Sequence, residues 1–306
     1  MARILVAVPF LREFLAPLAA HELIEGAPGS DARAEALVCS PIQPVDAATQ
    51  ERMPHLRAIA VAGAGADAID HDAARSRGVA VMTAGEGLVE STADLAFGLM
   101  IAACRLMHDA ESTLRAGEWH GWGFLEELGR DVHRARLGLV GYGAIGRAVA
   151  RRADAFAMRV RHHTRHDTGE EGWVGDLDEL LSDSEIVSVH VPLTESTRGL
   201  IDARRIGLLR DDAVLVNTAR GAVVDEDALA AALTAGRLFA AGLDVYAHEP
   251  EPSPALLAAP RTVLLPHVGS ATLHARTAMI EGAARKLAVF LAAAGAPTSR
   301  AGSDGR

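Results

Sequence analysis

This chain is predicted to be an α/β protein built on doubly wound parallel sheets, and three observations carry that prediction. Short apolar runs of strand length recur along it. Helical stretches alternate with those runs, as βαβ units require. One run, Arg136–Val140, leads through Gly141-Tyr142-Gly143-Ala144-Ile145-Gly146 into an Ala-rich segment with apolar residues at helical spacing. A strand, then G-x-G-x-x-G, then a helix is the setting in which three glycines hold a dinucleotide. Gly141 permits the tight turn, Gly143 lets the backbone approach a pyrophosphate, and Gly146 lets the helix pack close to the strand. The helix N-terminus offers N–H groups and partial positive charge to the phosphates.

In chain order, Arg3–Val8, Glu35–Ser40, Leu56–Ala62 and Val79–Met82 read as parallel strands. Helices are expected between them, including Phe10–Leu23 and Asp70–Ser76. Two glycine-containing loops follow strands, Ala62-Gly63-Ala64-Gly65-Ala66-Asp67 and Thr83-Ala84-Gly85-Glu86-Gly87. Ligands sit at carboxyl strand ends in open α/β sheets, although the composition equally suits ordinary turns. Ser91–Arg115 reads as one long helix with Ser91 or Thr92 as N-cap. The loop Gly117–Phe124 holds two of the three tryptophans, Trp119 and Trp122. A second α/β series follows, with strands at 136–140, 158–163, 185–191, 213–217, 238–244 and 262–265. Its helices are expected at 144–156, near 176–182, at 202–209 and at 225–235, with a last long helix over Thr272–Leu291. The Gly-, Ser- and Pro-containing tail Ala296–Arg306 reads as disordered, and no internal repeat is evident.

At 306 residues and 49% hydrophobic composition, the chain has room for two ordinary domains with buried cores. A net charge of −10 without a basic cluster argues against nucleic acid as a partner. The start resembles a first strand rather than a signal sequence, and no apolar run is long enough to span a bilayer, so a cytoplasmic protein is expected. Cys39 and Cys104, the only cysteines, read as small core residues, and no metal site is expected.

Four segments carry a resemblance that extends from about residue 59 to about residue 277. They are the glycine motif, Val216-Asn217-Thr218-Ala219-Arg220-Gly221-Ala222-Val223-Val224-Asp225, Gly242-Leu-Asp244-Val245 with Glu249-Pro250, and Pro266-His267-Val-Gly-Ser-Ala-Thr272. Together they resemble the D-isomer-specific 2-hydroxyacid dehydrogenases. The resemblance implies a Rossmann nucleotide domain over 92–271, inserted in a flavodoxin-like substrate domain formed by 1–91 and 272–306. It places the active site in the cleft between them.

Reducing a 2-keto acid needs a cation for the carboxylate, an acid for the ketone oxygen and a hydride donor nearby. Arg220, between a strand and a helix, can grip a carboxylate in bidentate fashion. His267 ends a strand, and imidazole titrates near neutral pH, which suits a proton donor. Glu249 is its carboxylate partner by resemblance, favouring the imidazolium and fixing the ring. Of the 13 histidines, His162, His163 and His166 read as strand-end residues near a cofactor at most. The formate dehydrogenase branch is expected to carry Gln in place of Glu249. By resemblance the N–H groups of Ala62, Gly63 and Ala64 complete the carboxylate site, and the lysine expected there in the phosphite dehydrogenase branch is absent.

The resemblance also distributes a cofactor along the chain. Gly141, Gly143, Ala144, Ile145 and Gly146 serve the pyrophosphate and the adenine half. Thr92, Thr218 and Asp244 lie along the nicotinamide half, and Val191, Pro192 and Thr197 border the adenosine. NAD-preferring proteins place an acid at the end of the second nucleotide-domain strand. Here Thr164 and Arg165 stand at that point, a pair that suits a 2′-phosphate, so NADP(H) is favoured over NAD(H). A shift of alignment by a residue or two would instead bring Asp167 into play. Trp119-His-Gly-Trp122 resembles the dimerisation loop of the glyoxylate/hydroxypyruvate reductase branch, and Thr83–Asp94 also resembles that branch. A homodimer through the nucleotide domain is therefore implied, with Trp122 reaching the neighbouring subunit's active site. The less favoured alternative for Trp122 is a core aromatic. The expected activity is NAD(P)H-dependent reduction of glyoxylate or hydroxypyruvate to the D-2-hydroxy acid. The alternatives are a dehydrogenase for a bulkier acid and a corepressor-like nucleotide-sensing protein.

Overall fold

The computed structural model describes residues 1–7, 12–126 and 128–295. The chain divides into two compact units, Met1–Leu88 with Thr272–Arg306, and Val89–Ala271, so the second is inserted in the first. The first boundary falls before the one expected after residue 91, because a helix already begins at Val89.

The first unit is a parallel sheet of β1 (Arg3–Val6), β2 (Glu22–Glu25), β3 (Ala36–Cys39), β4 (Ala58–Val61) and β5 (Ala80–Thr83), in the order β2-β1-β3-β4-β5. That is the flavodoxin-like strand order. Strand residues alternate between two covered faces, as in buried parallel sheets. Leu5, Leu37, Cys39, Ile59 and Val61 join a core with Met53, Leu56, Ile69 and Ala74, beneath α1 (Ala47–Glu51) and α2 (His71–Ser76). The last helix, Leu273–Gly295, packs on β4, β5 and a 3-10 helix, Arg12–Leu18, on the other side. The helix expected over Phe10–Leu23 is not observed. Pro17 lies inside that 3-10 segment, where its missing N–H is incompatible with an α-helical ladder, and residues 22–25 form the edge strand β2. Glu22 of β2 pairs with Arg3 of β1 across the register, so the polar edge conceals the strand pattern. Phe10, Leu11, Val8 and the tail 296–306 lie outside the described residues.

The second unit opens with α3 (Val89–Cys104) and α4 (Met107–Arg115). They replace the single helix expected over Ser91–Arg115, and neither Ser91 nor Thr92 is a cap. The break has a visible cause. The Cys104 carbonyl, which a continuous helix would use internally, accepts the Arg130 N–H at 2.7 Å, and Leu106 turns left-handed at φ 49°. The sheet comprises β6 (Arg136–Val140), β7 (Arg159–His163), β8 (Ile186–Val189), β9 (Val214–Asn217), β10 (Ala240–Leu243) and β11 (Thr262–Leu264), ordered β11-β10-β9-β8-β6-β7. Trp173 adds a one-residue parallel bridge beside His162 of β7, so the chain keeps a rudiment of the third strand of a usual nucleotide fold. The direction of winding reverses between β6 and β8, which makes their carboxyl ends the topological switch point. α3 and α5 (Ala144–Ala155) cover one face with Ala96, Met100, Leu139, Val149 and Val216. α6 (Leu177–Asp183), α7 (Ala203–Ile206), α8 (Glu226–Thr234) and α9 (Pro254–Leu257) cover the other.

The helices expected to start at 176, 202 and 225 begin one residue later. Asp176, Asp202 and Asp225 are their N-caps, each carboxylate accepting a first-turn N–H. Cys39 and Cys104 are fully buried, and burial pushes both thiols up to about 12, so they are core residues rather than thiolate nucleophiles. Among the described residues no helix is long and apolar enough to cross a membrane, and no cluster of His, Cys, Asp or Glu could hold a metal.

Candidate active site

Three loops at the carboxyl ends of β9, β10 and β11 interlock in the second unit. After β9, Asn217 folds the chain onto itself: its Oδ1 accepts the Ala219 N–H and its Nδ2 donates to the Arg220 carbonyl, both at 3.0 Å. Arg220 is thereby held in extended backbone at the start of a 3-10 turn, Gly221–Val223, and is half-buried. Gly221 seats this loop on the next. A Cβ there would lie 1.8 Å from the Tyr246 carbonyl carbon and 2.2 Å from the Ala247 nitrogen.

After β10, the Tyr246 N–H donates to Glu249 Oε1 at 3.0 Å, and its hydroxyl donates to the Leu265 carbonyl at 2.9 Å. The buried Glu226 at the start of α8 accepts the N–H groups of Ala247 and Ser253, on either side of Glu249. After β11, Asp244 shapes the third loop: its two oxygens accept the Val268 and Gly269 N–H groups, each at 2.7 Å. Burial raises the Asp244 carboxyl, while those two donors oppose the shift. Thr92 of α3 donates to the Gly269 carbonyl at 3.3 Å from the opposite side. His267 is thus presented at φ 54°, a conformation uncommon outside glycine, and its Nδ1 lies 2.7 Å from Glu249 Oε2.

Two of the expected catalytic residues, Glu249 and His267, are therefore in direct contact, and Arg220 is carried by a loop in backbone contact with theirs. With Nδ1 on Glu249, Nε2 is the nitrogen that can serve a substrate. A guanidinium beside a carboxylate-backed imidazole can bind a carboxylate and protonate an adjacent oxygen.

The glycine loop follows β6 at the switch point. Gly141 adopts φ 100°, and a Cβ there would meet the His190 carbonyl oxygen at 2.6 Å and Val191 at 3.0 Å. A Cβ on Gly146 would meet the Gly141 oxygen at 2.5 Å, whereas one on Gly143 would meet nothing within 4 Å. Two glycines are thus required by the protein itself, and the third opens space before the N-terminus of α5, where Ala144 begins the helix. Ile145 packs half-buried against the α3/α5 core. Thr218 is buried, and its hydroxyl has no hydrogen-bond partner among the described residues, as a hydroxyl awaiting a ligand group would be. Thr197 bonds to the Pro192 carbonyl at 2.6 Å and closes the loop after β8. These features fit a dinucleotide.

Beyond β7, Thr164 donates to the His166 carbonyl at 2.6 Å and Arg165 is exposed. Asp167 accepts the Gly169 N–H at 2.8 Å, and Glu170 is ion-paired with Arg147. Arg147 lies over the Tyr142 ring, which stacks on the buried His162 at 3.7 Å.

In the first unit, the expected donor set needs correction. The Ala62 N–H continues the strand ladder to the Cys39 carbonyl and the Gly63 N–H closes a tight turn onto the Val61 carbonyl, both at 2.9 Å. Ala64 is exposed, and a Cβ on Gly85 would touch it at 2.6 Å, so the two glycine loops are packed together. Trp122 is not a core aromatic. It is 81% exposed, edge-on to Phe124, which is 79% exposed, with ring centroids 5.7 Å apart.

Sequence reasoning missed Tyr246, Glu226 and the close contact at Gly221. Glu226 follows Asp225 directly and carried the signal of an acid inside a motif, but its carboxylate faces another loop. Tyr246 and Gly221 act through contacts remote in sequence and left no local signal.

The family model for D-isomer specific 2-hydroxyacid dehydrogenase, NAD binding domain, matches residues 97–269. The chain is 40% identical over 265 residues to a glyoxylate reductase of Thermococcus litoralis, covering 84% of this chain and 80% of that protein. It is 40% identical over 242 residues to 4-methyl-2-oxopentanoate reductase A of Aspergillus oryzae, covering 77% and 72%. Among solved structures, the NADPH-dependent glyoxylate/hydroxypyruvate reductase of Sinorhizobium meliloti in complex with NADP and malonate superposes with a TM-score of 0.85 at 34% identity, covering 95% of this chain and 93% of that one.

Proposed function

This chain belongs to the D-isomer-specific 2-hydroxyacid dehydrogenases and is an NAD(P)-dependent oxidoreductase of that family; from that premise we propose that it reduces glyoxylate or hydroxypyruvate to the D-2-hydroxy acid. The observation that carries this reading is the Glu249–His267 contact at 2.7 Å beside the Arg220 loop. A bound reduced nicotinamide would supply the hydride that the keto carbon takes up. Arg220 holds the substrate carboxylate and draws electron density from the adjacent carbonyl. His267 Nε2–H donates its proton to the ketone oxygen as that oxygen gains negative charge. Glu249 accepts from Nδ1–H, which fixes the ring and leaves Nε2 for the substrate.

NADP(H) is the favoured cofactor. At this strand end Arg165 offers an exposed guanidinium to a 2′-phosphate, beside Thr164, whose hydroxyl is held by the His166 carbonyl, while Asp167 and Glu170 are engaged with Gly169 and Arg147. The exposed Trp122–Phe124 pair supports a homodimer through this loop, with Trp122 narrowing the pocket of the neighbouring subunit. The likeness to a 4-methyl-2-oxopentanoate reductase favours a second reading, a pocket for a bulkier acid.

Initial rates on glyoxylate, hydroxypyruvate, pyruvate and phenylpyruvate, each with NADPH and NADH, separate these readings. We expect the first two acids to be turned over fastest with NADPH, and Trp122→Ala to relax that selectivity. Fastest turnover of phenylpyruvate would establish the bulkier pocket, and preference for NADH would overturn the reading of Thr164 and Arg165. Cofactor binding without turnover of any acid would point to a sensor.

A further inference from the structure

Glu249 and His267 come from different loops, and Tyr246 bonds to both, by its backbone N–H to the Glu249 carboxylate and by its hydroxyl to the turn that carries His267. The Tyr246 N–H donates to Glu249 Oε1 at 3.0 Å, and the Tyr246 hydroxyl donates to the Leu265 carbonyl at 2.9 Å. The same carbonyl accepts the His267 N–H at 3.1 Å, so it pins the turn that presents the imidazole. That turn holds His267 at φ 54°, a conformation that persists only where the surroundings fix it from several sides. The phenol is half-buried against the core under α8 and α9. Burial pushes it up to about 12, so it remains a donor at working pH. Behind it, Glu226 holds the Ala247 N–H.

We propose that Tyr246 is a positioning residue for the acid couple, fixing the Glu249 carboxylate through its N–H and the His267 turn through its hydroxyl. This inference rests on the reading of His267 as the proton donor. The charged groups that the imidazole meets are Glu249, in contact with Nδ1, and the buried Asp244, whereas Glu226 faces Tyr246. Asp244 is occupied by two backbone donors, so Glu249 is the carboxylate that holds the imidazole.

The test is Tyr246→Phe, which keeps the ring and removes only the hydroxyl, with Glu249→Gln as the reference for complete loss of the carboxylate. We expect kcat to fall about tenfold with the keto-acid KM within about twofold, as a small misplacement of the donor would cause. The NMR signal of the His267 Nδ1 proton should move upfield in the intact chain as its bond to Glu249 loosens. That shift should be smaller than the one produced by Glu249→Gln, and the thermal midpoint should stay near wild type. An unchanged Nδ1 proton signal would overturn the proposal. So would a parallel loss of kcat, KM and thermal stability, which is what a merely structural tyrosine gives. The NMR arm needs no turnover, so a wild-type chain inactive on every keto acid would overturn the functional reading while leaving Tyr246 decided on its own evidence.

Discussion

His267→Asn is expected to lower kcat for keto-acid reduction by about 10²–10⁴-fold while leaving nucleotide affinity within about twofold. Asparagine suits the test because it tolerates the left-handed backbone that His267 adopts at φ 54°, so the loop keeps its path. It can still donate to Glu249, but it carries no proton that it can release at neutral pH. The loss therefore falls on proton delivery to the ketone oxygen and not on assembly of the three loops. Steady-state kinetics alongside fluorescence titration of the reduced nucleotide check this. Retention of more than about a tenth of kcat would remove His267 from the role of donor.

Gly221→Ala should have the second large effect, by a different route. The new Cβ would stand 1.8 Å from the Tyr246 carbonyl carbon and 2.2 Å from the Ala247 nitrogen. Both are backbone atoms, so no rotamer change relieves the overlap, and one of the two loops must move. Overpacking of this kind costs about 1–3 kcal/mol in well-packed sites, and the upper part of that range is expected here. Because Arg220 precedes the clash and Glu249 follows it, kcat/KM should fall about 100-fold as well. Gly143→Ala is the matched control. Its Cβ would meet nothing within 4 Å, so unfolding by urea should be nearly unchanged while nucleotide binding weakens. Equal stability of the Gly221 and Gly143 variants would mean that the β9 and β10 loops are not seated on one another as described.

The contrast between those two glycines shows how much of the site was legible in the chain. The motif Gly141–Gly146 was readable because its chemistry is local: a strand, a turn and a helix follow one another, and each glycine answers to neighbours close in sequence. Most strands of both sheets were readable for the same reason, since parallel strands buried on both faces appear as short apolar runs. Strand β2 was not, because its ends are glutamates and its partner is Arg3, far away in the chain. The break at Leu106 was hidden because the Cys104 carbonyl is claimed by Arg130 from beyond the tryptophan loop. Arg220, Glu249 and His267 were singled out as candidates through family resemblance joined to the chemistry of their side chains. What positions them was not found: Gly221, Tyr246 and Glu226 act through backbone atoms of other loops, and no local pattern announces such a contact. The Ala62 and Gly63 N–H groups erred in the opposite direction. A small-residue loop at a strand end suggests open donors, yet the ladder and a tight turn had already taken both.

The central claim is reduction of a 2-keto acid with protonation by the Glu249-backed His267, and the product of a single incubation tests it most directly. Hydroxypyruvate and NADPH are incubated with the wild-type chain, and the product is resolved by chiral chromatography against nucleotide consumed. D-glycerate should form in equal amount to the NADPH oxidised. The L-isomer, or nucleotide binding with no hydroxy acid formed from this or any other short keto acid, would contradict it.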